Sequence, residues 1–212
     1  MFSSTAAVYG EPEAVPIVET ARLAPTNAYG ESKLLVEQML RWFRQVHGFH
    51  TGVLRYFNVA GALPGRGEEH EPESHLIPLI LDVAIGKREF ISIYGEDYDI
   101  PDGTCIRDYI HVADLADAHI FALEALREQA ELLVNLGNGC GFSVRQVIDS
   151  ARRVTGHPIP VVVKPRRAGD PARLVASSER AKHQLSWEPR FPALDDILVS
   201  AWEWHQLRFA AK

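Results

Sequence analysis

The chain of 212 residues has little of several things, and each shortage excludes a class of protein. It has two cysteines, Cys105 and Cys140, too few for a disulfide framework or a four-thiolate zinc site; both read as buried or loop residues. No apolar run approaches the ~20 residues that a membrane helix needs. Positive charge is in the minority: 22 Lys and Arg stand against 28 Asp and Glu, a net charge of −6. That excludes a nucleic-acid coat or a polybasic membrane binder, while leaving room for a local basic site. The opening Met1-Phe2-Ser3-Ser4-Thr5 lacks the basic stretch and apolar core of a secretory signal. Among the nine histidines, His47 and His50 straddle Gly48, and His111 and His119 stand eight apart. Neither pair has a third partner, so no metal site is expected. What is there, 46% hydrophobic and 24% charged residues, is ordinary for a soluble globular protein. The size suits one medium domain or one domain with a small lobe, and the cytoplasm is the expected compartment.

A short apolar piece, Ala6-Ala7-Val8-Tyr9, opens the chain, and a loop rich in Pro and Glu follows through Pro25. Asn27 predicts a helix N-cap, Glu31 lies in the first turn and Gly48 predicts the stop. Between them Leu34, Leu35, Met39, Leu40 and Phe43 recur at three- and four-residue steps. Thr51 to Phe57 reads as a buried strand, and residues 58–74 as loop. Leu76 to about Gly86 reads as a helix, Phe90 to Tyr94 as a strand and 95–108 as polar loop. A helix from Val112 to about Gln129, a strand at Leu132 to Asn135 and a helix capped by Ser143 come next. A strand at Ile159 to Val163 and helices near 178–186 and 193–208 complete the order. This alternation predicts an α/β fold: an incomplete, doubly wound parallel sheet of Rossmann type with a smaller α/β substrate lobe. The boundary falls near residue 58. Residues 1–58 go to the sheet domain, and 59–212 mainly to the lobe, with some elements returning to the sheet.

Tyr29-Gly30-Glu31-Ser32-Lys33 is a Tyr-x-x-x-Lys. Residues four apart on a helix share a face, so Lys33 stands near the Tyr29 phenol and favours its ionised form. A phenolate takes a proton from a sugar or alcohol hydroxyl. The spacing alone is common on helices, so its neighbours matter. Ahead of it stands Phe2-Ser3-Ser4-Thr5-Ala6-Ala7-Val8-Tyr9-Gly10, with hydroxyls at a strand end. After it stands Leu54-Arg55-Tyr56-Phe57-Asn58-Val59-Ala60-Gly61. Then come Ser74-His75-Leu76-Ile77-Pro78, Gly95-Glu96-Asp97-Tyr98 and the run Asp102-Gly103-Thr104-Cys105-Ile106-Arg107-Asp108-Tyr109-Ile110-His111-Val112. Asn135-Leu136-Gly137 and Pro165-Arg166-Arg167-Ala168-Gly169-Asp170-Pro171 close the series. In this order, over essentially the whole chain, these segments resemble the extended short-chain dehydrogenase/reductase family, and within it the UDP-glucose 4-epimerase branch.

The resemblance implies NAD as cofactor and a UDP-sugar as substrate, with UDP-galactose and UDP-glucose interconverted through a 4-keto sugar. Tyr29 is then the base at the sugar C4 hydroxyl, and Lys33 tunes it and binds the nicotinamide ribose. Thr5 is the hydroxyl partner where the family often has Ser, and Phe57 lines the nicotinamide site, with Tyr56 nearby. Asn58, Leu76, Ser92, Ile93, Tyr94, Arg107, Arg167 and Asp170 match positions that hold UDP, and arginines suit a diphosphate by bidentate hydrogen bonding. His75 stands where some relatives carry Asn, and Leu174 stands at a position that gates acetylated sugars. The helix bearing Tyr29 and Lys33 implies a homodimer; neither nucleic acid nor membrane is an expected partner.

One family feature is missing. A Gly-x-Gly-x-x-Gly fingerprint at the end of a first strand is absent. Gly137-Asn138-Gly139-Cys140-Gly141 imitates it, but position 142 is Phe and no acid follows at the required distance. It reads as a tight turn before a helix. In family terms the chain starts near the fifth strand and lacks roughly the first third, with the adenine and pyrophosphate site. The expectations are an exposed sheet edge and weak NAD binding by the chain alone. The alternatives are a UDP-pentose or UDP-N-acetylglucosamine 4-epimerase, or a non-catalytic UDP-sugar binding fragment. A dehydratase of this family would place an Asp-Glu pair after Thr5, where Ala6-Ala7 stand. Glu68-Glu69-His70-Glu71 reads as a solvated loop, and Trp202, Trp204 and Phe209 as core of a terminal helix.

Overall fold

The computed structural model describes residues 1–210. Strand β1 (Phe2–Thr5) opens the chain, and a 3₁₀ turn (Ala6–Tyr9) follows. Next come α1 (Ala28–His47), β2 (Thr51–Tyr56), β3 (Asn58–Ala60), α2 (Leu76–Ala84) and β4 (Ile91–Tyr94). The order continues with β5 (Ile106–His111), α3 (Val112–Ala125), β6 (Glu131–Leu136), β7 (Gly141–Ser143) and α4 (Val144–Thr155). It ends with β8 (Val161–Lys164), β9 (Arg173–Leu174), α5 (Glu179–Leu185) and α6 (Leu194–Ala210). The chain is α/β with parallel pairing, as its alternation of elements requires. No described helix is long and apolar enough to cross a membrane.

The first sheet has the order β1-β2-β6, all parallel, with Phe2 opposite Val53 and Val53 opposite Leu133. Thr51 through Arg55 are all buried, the unbroken run of a parallel strand covered on both faces. Arg55 is the charged member of that run. Its Nε and Nη2 reach Glu37 Oε1 and Oε2 of α1 at 3.0 and 2.5 Å, and its Nη1 donates to the Tyr9 hydroxyl at 3.0 Å. Ser4 donates its hydroxyl to the same Glu37 carboxylate, so one buried ion pair ties β1, β2 and α1 together. The far edge of β1 meets no described strand.

A second sheet gathers around β5. Tyr109 pairs with Asn58 of β3, Ile106 with Ser143 of β7 in antiparallel register, and Ile106 with Arg173 of β9. The β4–β8 pair is separate, with Ile93 opposite Val163. Strands β3, β7, β9 and the start of β5 lie in stretches expected to be loop. Each is two or three residues long or rich in polar groups, so pairing makes them strands, not a period-2 pattern. The opening apolar piece Ala6–Tyr9 is a 3₁₀ turn, and the extended segment precedes it.

Helix boundaries follow the capping chemistry. The Asn27 side chain accepts from Gly30 N at 2.8 Å, and Gly48 ends α1 in the left-handed region at φ 67°. Ser143 and Gln146 form a reciprocal capping box on α4. Helix α2 buries Ile77, Ile80, Leu81 and Ala84, and Pro78 is tolerated because first-turn amides have no intrahelical acceptor. One core joins α2, β4, α4 and α6 around Ile80, Ile93, Ile148 and Ile197. A second lies around Leu54, Val134 and Trp187, and a small third holds Val8, Leu34 and Phe57. Helix α1 is the exception to ordinary burial: Gly30 and Leu34 are its buried residues, while Leu35, Met39, Trp42, Phe43 and Val46 are exposed.

Candidate active site

A cavity of about 770 Å³ opens where β1, α1, the β2–β3 junction, α2, β5 and α6 converge. Its wall includes Thr5, Tyr29, Phe57, Asn58, His75, Leu76, Arg107 and Leu174, eight of the residues singled out by the sequence. Lys33, Ser92, Ile93, Tyr94, Arg167 and Asp170 stand outside that wall.

Thr5 ends β1 with extended backbone and caps the following turn: its Oγ1 accepts from Ala7 N at 3.2 Å. That bond uses the oxygen and leaves the hydroxyl proton free to donate. Tyr29 is the second residue of α1 and 57% exposed, so its phenol is open to a ligand. Lys33 lies one turn on, its Nζ 5.6 Å from the Tyr29 ring centroid, 5.1 Å from that of Phe2, and 3.0 Å from the Ser3 carbonyl oxygen. The bond to Ser3 uses one of three ammonium N–H groups and leaves two for ligand hydroxyls. Helix α1 starts close against the 3₁₀ turn that Thr5 caps. A Cβ on Gly30 would meet Ala7 O at 2.5 Å, so only glycine permits the approach.

Arg107 lines the cavity, while Arg167 stands outside its wall. Arg107 pairs with Asp170 and donates to the Ile106 carbonyl at 2.7 Å. Arg167 stacks its guanidinium 3.8 Å from the Tyr94 ring centroid and holds the Tyr94 phenol below its ordinary value. Ser92 and Tyr94 alternate with Ile93, which is 1% exposed and packs in the core. The Ile93 side chain is therefore unavailable to a ligand; only its backbone is left for that role.

Asp108 explains the false fingerprint. Its fully buried carboxylate accepts from Asn138 N, Gly139 N and Ala176 N at 2.8, 3.0 and 3.0 Å. The turn at residues 137–141 thus spends its amides on an internal carboxylate instead of a pyrophosphate. Burial pushes Asp108 up to about 6, against the pull of those N–H donors. Flanked by Arg107 and Tyr109 in the cavity wall, and joined to the strand end beyond Leu174, it fixes three parts of the site.

Sequence reasoning missed Trp204. Trp202 is core, 9% exposed, but Trp204 lines the cavity and donates Nε1–H to the Glu68 carbonyl at 3.1 Å. Helical residues two apart do not share a face, so both tryptophans of α6 cannot enter one core; that signal was present. Arg66, Tyr109 and His205 also line the wall. Arg66 sits in an irregular loop and carries no pattern that singles it out.

The fold and this site define a class, and comparison with known proteins gives it a name. The model of the NAD dependent epimerase/dehydratase family matches residues 1–137, and the chain belongs to that family. It is 56% identical over 209 residues to the UDP-glucose 4-epimerase of Halalkalibacterium halodurans, covering 97% of this chain and 63% of the relative. It is 57% identical over 205 residues to that of Streptomyces lividans, covering 97% and 62%. Among solved structures, UDP-glucose-4-epimerase from Stenotrophomonas maltophila with bound NAD and formylated UDP-arabinopyranose superposes with a TM-score of 0.93 at 39% identity. That match covers 100% of this chain and 64% of the other. The Bifidobacterium longum enzyme in complex with NAD+ and UDP gives 0.91 at 40% identity, covering 99% and 63%. The chain thus spans about 63% of the length of the curated relatives it matches.

Proposed function

We propose that the protein is a UDP-sugar 4-epimerase that interconverts UDP-galactose and UDP-glucose. The observation that carries this reading is the combination of two chemistries in one cavity. Tyr29 and Thr5, which bring hydroxyls, and Arg107, which brings a guanidinium, line the same cavity. Identity above 50% to UDP-glucose 4-epimerases over 97% of the chain supports the choice of sugar nucleotide.

NAD is the proposed cofactor. The nicotinamide end of the site fits it: an aromatic face at Phe57, the hydroxyls of Thr5 and Tyr29, and two unused N–H donors on Lys33 for a ribose diol. Bound NAD supplies reversible hydride acceptance at sugar C4. The protein's own residues manage the proton. Tyr29, acting as the phenolate, accepts it from the C4 hydroxyl and becomes the neutral phenol, with the Lys33 ammonium one helical turn away. Thr5 donates its hydroxyl proton to the same oxygen and holds it in place. Arg107, with Asp170 fixing its guanidinium, and Arg167 on Tyr94 supply charge-assisted donors for the diphosphate. Asn58, Leu76, Ser92, Tyr94 and the Ile93 backbone complete the UDP side, and His75 and Leu174 face the sugar.

Residues 1–58 act as the cofactor domain and 59–212 mainly as the sugar-nucleotide lobe, with β6 returning to the first sheet. The exposed apolar face of α1 supports a homodimer through the helix that carries Tyr29 and Lys33, and the cytoplasm is the proposed location. The test is titration calorimetry with UDP on wild type and Arg107→Ala. Saturable binding weakened at least tenfold in the variant is expected; binding that Arg107→Ala leaves unchanged refutes the assigned diphosphate side.

A further inference from the structure

One cluster at the cavity is only partly used by the proposed chemistry, which assigns its His75 to the sugar. Glu68, His70, Glu73 and His75 bring two imidazoles and two carboxylates together, and one potential ligand atom from each lies within 4.8 Å of all the others. His75 Nδ1 faces two carboxylate oxygens at once, Glu68 Oε1 at 2.6 Å and Glu73 Oε1 at 3.0 Å. A single ring N–H serves one such acceptor fully, so the second carboxylate is left with a share of a bond. The His70 and His75 rings stand 5.5 Å apart between centroids, which puts a second imidazole beside the same pair of acids.

We propose that these four side chains form a binding site for one divalent transition-metal ion of the zinc type, on the rim of the cavity. Two nitrogens and two oxygens suit borderline cations such as zinc or cobalt, whereas magnesium and calcium take oxygen ligands. Zinc bonds of about 2.0–2.2 Å in a tetrahedron put ligand atoms about 3.3–3.5 Å apart. A contraction of the cluster by little more than about 1 Å meets that requirement, and the half-exposed His75 side chain has room to make it. The ligands come from one segment of eight residues, 68–75, at spacing Glu-x-His-x-x-Glu-x-His. That segment is already held at both ends. Trp204 of α6 binds the Glu68 carbonyl, and Arg208 of α6 pairs with Glu69 at 2.9 Å. The Glu73 carboxylate accepts from Ser74 N and His75 N at the start of α2, each at 2.7 Å. Because Glu68 and His75 also line the cavity, the ion fastens the segment across its mouth. The histidine spacing of the sequence, searched pair by pair, missed this set because two of its four members are carboxylates.

The test is calorimetry of the chain with zinc chloride, and visible absorption with cobalt chloride, on wild type, His70→Gln, Glu73→Gln and Cys140→Ser. One ion per chain is expected, with affinity down at least tenfold in His70→Gln and Glu73→Gln and unchanged in Cys140→Ser. The cobalt form should show the intense visible bands of a four-coordinate site, which reports on the geometry of the wild type without relying on any variant. No saturable zinc binding, binding that survives both ligand substitutions, or a weak six-coordinate cobalt spectrum would overturn the proposal.

Discussion

Glu37→Gln is the perturbation that most sharply tests how α1 is held. The Arg55 and Glu37 side chains are 3% and 8% exposed and meet at 2.5 Å. Glutamine keeps the shape but removes the charge, and its amide nitrogen opposes one guanidinium N–H. Removing one partner of a buried ion pair leaves the other charge without compensation, which costs about 3–5 kcal/mol. The amide oxygen of glutamine can still accept from the Ser4 hydroxyl, so the loss falls on the Arg55 guanidinium. For a chain of this size, about 2–4 °C per kcal/mol gives a fall in Tm of about 6–20 °C. The assay is thermal and urea denaturation of wild type, Glu37→Gln and the double variant Glu37→Met with Arg55→Leu. The double variant should recover part of the loss, because apolar pairs of similar volume replace buried ion pairs at little cost. The Tyr9 hydroxyl and the Glu19 carbonyl, which Arg55 also serves, limit that recovery. A loss under about 1 kcal/mol in Glu37→Gln, the size of an exposed pair, would refute the claim that this pair fixes α1 to the sheet.

Other outcomes follow from single contacts. Burial raises Asp108 to about 6 in the fold from an ordinary value near ~4. The stability this group contributes is therefore full below about pH 4 and lost as pH rises through 6, a change of about 3 kcal/mol. Asp108→Asn should flatten that part of the stability profile, and an unaltered slope between pH 4 and 7 would reject the shift. Gly30→Ala places a Cβ 2.5 Å from Ala7 O; it should lower stability by about 1–3 kcal/mol and reduce turnover by moving Tyr29 from Thr5, and full activity with unchanged Tm would contradict this. Gly67→Ala sets a Cβ 2.2 Å from the Trp204 ring, so the loop at Glu68 should detach. Trp204 fluorescence reads this out, and an unshifted spectrum is the contrary result.

Most of the architecture was legible because its signals are local. Asn27, Gly48 and Ser143 bound their helices by side-chain and left-handed caps, and the apolar runs of β2 and β6 mark buried parallel strands. The short strands β3, β7 and β9 were not legible, because their hydrogen bonds come from partners distant in sequence. Helix α1 shows the limit of periodicity: its apolar positions recur as on a core-facing helix, yet Met39, Trp42 and Phe43 are exposed. Pattern reports that a face is apolar, not what covers it. For the site, the family resemblance pointed to Thr5, Tyr29, Phe57 and Arg107, which line one cavity. It gave no warning that the Ile93 side chain points into the core, and none of Trp204 or Arg66, whose places depend on the path of a loop.

The central claim is that Tyr29 is the base of a UDP-sugar epimerase. The most direct measurement is conversion of UDP-galactose to UDP-glucose by the chain with NAD supplied, in wild type and in Tyr29→Phe. The account predicts conversion by the wild type once NAD is raised high enough to offset the weak binding expected of this chain, and a fall of about 10²–10⁴-fold in the variant, with UDP affinity held within about threefold because the phenol makes no diphosphate contact. No conversion by the wild type at saturating NAD, or conversion that Tyr29→Phe leaves intact, would contradict it.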